Sequence, residues 1–229
     1  MNIFLLSIVF IILETFLIFI ISKTLINNLA RIFLRLTKSH KATVHILAIL
    51  FLPGTILHEL AHLLTAGVLF VPVGEISVIP EIEGDSVKLG SVQIGMTDPI
   101  RRMIIGVAPL LVGLGIIMEI IYFNKDSLSS APWWLLLLFG YLIFQITNTM
   151  FSSKKDMEGA VAFFGIFILI ISLSLLTLYL SGNIAVLSNV SQLNFSGANF
   201  LIENMCKFLL VPLALDLIIL GIIKILIRE

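Results

Sequence analysis

The chain has 229 residues, of which 59% are hydrophobic and 12% charged, and a formal net charge of +0; its mean hydropathy is +1.14. A soluble domain carries roughly 25% charged residues, so this composition specifies an integral membrane protein, and one helical membrane domain uses the whole of 1–229. Zero net charge excludes the basic field of a nucleic-acid binder, and the single cysteine, Cys206, excludes an internal disulfide and any cysteine-built zinc site.

The first apolar run, Ile3 to Ile21, lacks a basic n-region and a small-residue cleavage site, so it reads as a retained span over 3–22. Between Lys23 and Lys41, Leu25, Leu29, Ile32 and Leu36 recur at helical spacing among Lys23, Arg31, Arg35 and Lys38. That pattern fits an amphipathic helix at the membrane interface, or equally a basic connecting loop. Apolar segments at 43–70, 100–123, 132–151, 159–180 and 201–227 bring the total to six, each near the roughly 20 residues a span requires. The expected fold is all-α and multi-pass, with about six transmembrane helices.

Residues 71–98 break the pattern. Ile76 and Val78, then Val87 and Leu89, then Val92, Ile94 and Met96 recur at period two, with a turn signal at Glu83-Gly84-Asp85. A small β-hairpin or three-stranded sheet is expected here, and Glu75, Glu81, Glu83 and Asp85 place part of it in water. No internal repeat is visible, and Ser181 to Asn199 is an uncharged polar loop.

His58-Glu59-Leu60-Ala61-His62 lies inside the second apolar segment, where Glu59 is the only formally charged side chain from Thr43 to Phe70. Histidines at i and i+4 share one helix face and can share one zinc ion, with the intervening glutamate as general base on a zinc-bound water. Chance supplies this pattern about 0.002 times in a sequence of this composition. The competing reading is two polar residues bonded to neighbouring helices. It leaves unexplained an acid between them with no cation nearby in the same helix. His40 sits in a basic polar segment and His45 lies about 20 Å before His58 along a continuous helix, so neither is expected as a ligand.

A catalytic zinc takes three protein ligands and keeps one position open, so the third here must be a carboxylate. Glu14, Glu119, Glu203 and Asp216 lie within apolar runs without a supporting motif. Asp156 follows the fourth span in a polar interruption from Asn148 to Gly159. The ends of spans two and four share one side of the membrane, which lets His58, His62 and Asp156 converge. A solvated turn built from Lys154, Lys155, Asp156 and Glu158 is the alternative.

From Thr43 to Gly159 the layout resembles the site-2 protease family of intramembrane zinc metalloproteases. Members carry HExxH on one span, a short β-region after it, a Gly-Pro turn leading another span, and an Asn-x7-Asp segment on the next. Here Gly106-Val107-Ala108-Pro109 stands at the Gly-Pro element, and Asn148 and Asp156 reproduce the offset of the family's asparagine and zinc-binding aspartate. Lys154-Lys155-Asp156-Met157 replaces the family's Leu-Asp-Gly, as in a divergent member. The resemblance implies zinc held by His58, His62 and Asp156, Glu59 as the base, and Asn148 as a substrate or oxyanion donor. It also implies a transmembrane protein substrate, unwound and held by edge addition to the strands after Val71.

The resemblance further implies a zinc site nearer the cytosol, on the β-region side, and the expected location is a prokaryotic cell membrane. Two other functions share the motif: a membrane zinc peptidase acting outside the bilayer, and a non-catalytic transporter or scaffold. The lysines and arginines divide equally between the two sides, so the positive-inside rule assigns no orientation.

Overall fold

The computed structural model describes residues 3–83, 86–124, 131–150, 154–181 and 196–227. Its helices are α1 (Ile3–Thr37), α2 (His40–Val68), α3 (Pro99–Asn124), α4 (Trp133–Thr149), α5 (Lys154–Leu180) and α6 (Ser196–Ile227). Between α2 and α3 run the strands β1 (Val73–Ser77), β2 (Glu81–Glu83), β3 (Ser86–Lys88) and β4 (Ser91–Ile94). All six apolar segments of the sequence fall on helices. Among the described residues four helices are long and apolar enough to cross a membrane, over Val9–Thr37, His40–Val68, Pro99–Tyr122 and Phe200–Ile225. The apolar stretches Trp133–Thr149 and Val161–Ser174 are shorter than a full span.

The basic segment after the first apolar run is neither a loop nor a separate interfacial helix: α1 carries through it to Thr37. No glycine or proline interrupts Ile3 to Thr37, so nothing in the backbone breaks the hydrogen-bond ladder. Its apolar positions face the core, with Leu25 fully buried and Ile26 and Ala30 nearly so, whereas Leu36 is exposed. The chain reverses only at Lys38, whose φ of 53° is left-handed. Ser39 then caps α2 by accepting the Ala42 N–H at 3.3 Å.

The strands form one interrupted antiparallel hairpin. Its outer ladder pairs Ile76 with Val92 and Ser77 with Ser91, and its inner ladder pairs Glu81 with Lys88 and Glu83 with Ser86. Gly84 and Asp85 of the expected turn lie outside the described residues. Val78 and Met96 fall outside the strands, and Met96 is exposed.

The hairpin folds back along the helices. α2 ends with Phe70 in left-handed conformation, the Val71 N–H bonding to the Ala66 carbonyl and the Phe70 N–H to the Gly67 carbonyl. Leu89 is then buried with Ile26, Ala30, Leu47 and Phe51 of α1 and α2. The Val87 N–H bonds to Asn27 Oδ1 of α1 at 3.2 Å. A larger core joins Ile18 of α1, Ile117 of α3, Ile143 of α4, Met150 just after it, and Leu209 of α6.

Candidate metal centre

His58, Glu59 and His62 all lie on α2 and all are buried, at 4%, 3% and 5% exposure. One helical turn separates the histidines, so their rings project from the same face. The two Nε2 atoms stand 3.2 Å apart and the rings meet edge to face. Ligand atoms from all three residues lie within 4.8 Å of one another, a grouping that could hold a metal ion. Two nitrogens bound to one tetrahedral zinc at about 2.0–2.1 Å are separated by about 3.3 Å. The observed spacing of 3.2 Å matches that separation.

His62 is fixed from behind. Its Nδ1 lies 2.8 Å from the Ile105 carbonyl oxygen of α3. A carbonyl only accepts, so Nδ1 carries the proton, and in the neutral ring Nε2 then presents its lone pair. This is how metal-binding histidines are usually oriented, through a bond at the far nitrogen. The link spans 43 positions of sequence, and Ile105 is itself fully buried against Ala66 and Val71.

Glu59 is covered by the hairpin at Gly90, just before β4. A Cβ built on Gly90 would stand 2.5 Å from Glu59 Oε1, 2.7 Å from Thr55 Cγ2 and 3.0 Å from the Ser77 carbonyl oxygen. Only glycine lets backbone come this close to the carboxylate. The β-region is therefore one wall of the site.

The backbone of Asp156 lies in the first turn of α5, and its side chain is outside the described residues. Three positions on, a Cβ at Gly159 would meet Gly106 Cα at 2.9 Å and the Met103 carbonyl oxygen at 3.2 Å. This contact clamps the start of α5 against α3 beside Ile105, the residue that holds His62.

Asn148 is buried near the end of α4, and both of its N–H bonds are occupied. Nδ2 donates to the Phe144 carbonyl at 3.0 Å and to Asp216 Oδ1 of α6 at 3.0 Å. Service as an oxyanion donor would require it to release one of them. Asp216 is fully buried, and its Oδ2 and Asn148 Oδ1 lack hydrogen-bond partners among the described residues. It belongs to a helix clasp, and it is absent from the His58–Glu59–His62 group.

Of the remaining candidates, Glu14 is buried in α1, Glu203 is half-buried and Glu119 is exposed. His40 is exposed, and exposed His45 bonds through Nδ1 to the Lys41 carbonyl at 2.7 Å. Sequence reasoning missed the Ile105 carbonyl and Gly90. The one available signal was a glycine directly before a strand, a common mark of close backbone approach. No protein-family model, curated protein or solved structure matches the chain.

Proposed function

We propose that this chain is an intramembrane zinc metalloprotease of the site-2 type, hydrolysing peptide bonds in or near the transmembrane segments of other proteins. The observation that carries the reading is the pair of histidine Nε2 atoms 3.2 Å apart, beside a buried glutamate, on a helix apolar enough to span a membrane. His58 and His62 hold the zinc through Nε2, and Asp156 supplies the third ligand. When bound there, zinc supplies Lewis acidity toward a carbonyl and acidifies water.

The chain's own residues do the rest. Glu59 accepts the proton of the attacking water and passes it to the leaving amine. The Ile105 carbonyl keeps His62 in the tautomer that presents Nε2. Gly90 and the hairpin hold Glu59 in place and close one side of the cleft. Among the described residues β1 and β4 pair only with each other. Each therefore keeps an outer edge to which an unwound substrate segment can add as a strand, recovering the backbone bonds lost on unwinding. Asn148 serves the substrate by exchanging its bond to Asp216 for one to the reacting carbonyl. Four helices long and apolar enough to cross a membrane support a site within a multi-pass membrane domain.

The test uses purified full-length protein in detergent or lipid. It should carry about one zinc per chain, and His58→Ala or His62→Ala should remove most of it. Glu59→Gln should keep zinc and fold while losing hydrolysis by at least about 10²-fold, since an amide cannot accept the proton. Transmembrane proteins retained by the Glu59→Gln variant and cleaved by wild type identify the substrates. Full zinc occupancy after loss of both histidines would end the metal assignment, and undiminished turnover by Glu59→Gln would end the base assignment. Asp156→Ala should lower zinc affinity and abolish hydrolysis, while Glu158→Ala leaves both. The reverse result moves the third ligand elsewhere.

A further inference from the structure

We propose that Pro109 is a positioning residue for His62: by lacking an N–H, it frees the carbonyl that sets the tautomer of this histidine. The inference rests on the metal-centre reading above and extends it to a residue that touches neither metal nor substrate.

In an α-helix the N–H of residue i bonds to the carbonyl of residue i−4. Pro109 lies inside α3, so the carbonyl deprived of its helical partner is that of Ile105. This is the same carbonyl that accepts His62 Nδ1–H at 2.8 Å. Both Ile105 and His62 are buried, so an Ile105 oxygen without His62 would lack its helical donor and lie out of reach of bulk water. Leaving such a group unsatisfied is costly. The proline thus creates an acceptor at the depth and on the face where α2 brings His62.

The arrangement has a chemical consequence. A neutral imidazole has two tautomers, and only the one protonated at Nδ1 offers the Nε2 lone pair toward His58. An alanine at 109 would restore the missing N–H, which would compete for the Ile105 carbonyl. His62 would then divide between tautomers and lose its fixed ring orientation. A partner that orients a metal-binding histidine from its far nitrogen is worth about 10–100-fold in metal affinity.

The experiment is ¹⁵N NMR of histidine-labelled full-length protein stripped of metal in detergent, with the His62 signals assigned by their loss in His62→Gln. It is paired with zinc titration of the same samples. Wild type should show the Nδ1–H tautomer. Pro109→Ala should mix in the Nε2–H form and bind zinc about 10–100-fold more weakly. Replacement of Pro109 by lactate, an ester-linked residue without an N–H, should behave as wild type. Pro212→Ala, which restores a helical donor in α6, should leave the tautomer unchanged.

Predominant Nε2–H in wild type, or a wild-type tautomer and affinity in Pro109→Ala, would overturn the proposal. So would an altered tautomer in the lactate variant, which would transfer the effect from the missing N–H to the ring. Should Pro109→Ala fail to fold, the wild-type and lactate spectra still decide. If the tautomers behave as expected while no form binds zinc, the hydrogen-bond relay stands and the metal reading falls.

Discussion

Where the hairpin covers Glu59 at Gly90, there is no room for a side chain. In Gly90→Ala the new methyl would sit 2.5 Å from Glu59 Oε1 and 2.7 Å from Thr55 Cγ2. Either the hairpin lifts or the carboxylate turns away. Overpacking of this kind costs about 1–3 kcal/mol, so thermal unfolding in detergent should shift down. Zinc content should persist, because His58 and His62 are not displaced, while hydrolysis falls with the misplaced base. Wild-type stability and activity in Gly90→Ala would mean that the hairpin does not press on Glu59. The histidines and Glu59 were legible in the sequence because side-chain chemistry and a four-residue spacing identify them together. The Ile105 carbonyl was not, since every residue has a carbonyl and 43 positions separate this one from its partner. Asn148 was legible as a buried polar group, but its engagement with Asp216, 68 positions away, depends on how α6 packs.

The elements were legible in their apolar runs and less so where boundaries depend on capping. The helix from Ile3 to Thr37 looked like a span plus a basic segment because charge, not backbone, changes at Lys23. The period-two residues located the hairpin, but strand ends and the fold back against α1 depend on tertiary contacts such as Val87 with Asn27. α3 begins at a boundary with clear chemistry. Asp98 accepts the Ile100 and Arg101 N–H groups at 3.1 and 3.0 Å, and its other oxygen pairs with the Arg101 side chain at 3.2 Å. The Arg101 backbone N–H is the main influence holding the Asp98 carboxyl below its ordinary pKa; desolvation opposes it, and the Arg101 guanidinium charge and the Ile100 N–H add to it. Such a carboxyl binds fewer protons folded than unfolded. Its contribution is therefore present above the unfolded pKa, about 3.9, and is lost as pH falls through the lower folded value. Asp98→Ala should lower the unfolding temperature at neutral pH and flatten the acid-side decline seen in wild type. An unchanged acid-side profile would show that the cap does not couple to folding.

On the scale of the whole molecule, the site's depth follows from where HExxH falls along α2. At 1.5 Å per residue His58 lies about 27 Å from His40, and His62 lies about 9 Å from Val68. If α2 crosses a hydrocarbon core of about 30 Å, the histidines lie within it, nearer the helix end where the hairpin begins. The proposed hydrolysis needs water at that depth, and Gly90 brings hairpin backbone against Glu59 on this side. It also requires α2 to cross, which places Lys41 and Met96 on opposite sides. Both are exposed, so single cysteines at these positions in a Cys206→Ser background report their sides directly. A membrane-impermeant thiol reagent applied to intact cells should label one of them, and applied to inverted vesicles the other. Cysteine at Ser91, half-buried at the start of β4, should react from the side of Met96 and more slowly. Labelling of Lys41→Cys and Met96→Cys from one side would mean that α2 does not span. The histidine pair would then sit at an interface, favouring a membrane-attached peptidase that acts outside the bilayer. Opposite labelling, with Met96→Cys and Ser91→Cys sharing a side, would fix the face from which water reaches Glu59 and settle the orientation that the evenly divided basic residues leave open.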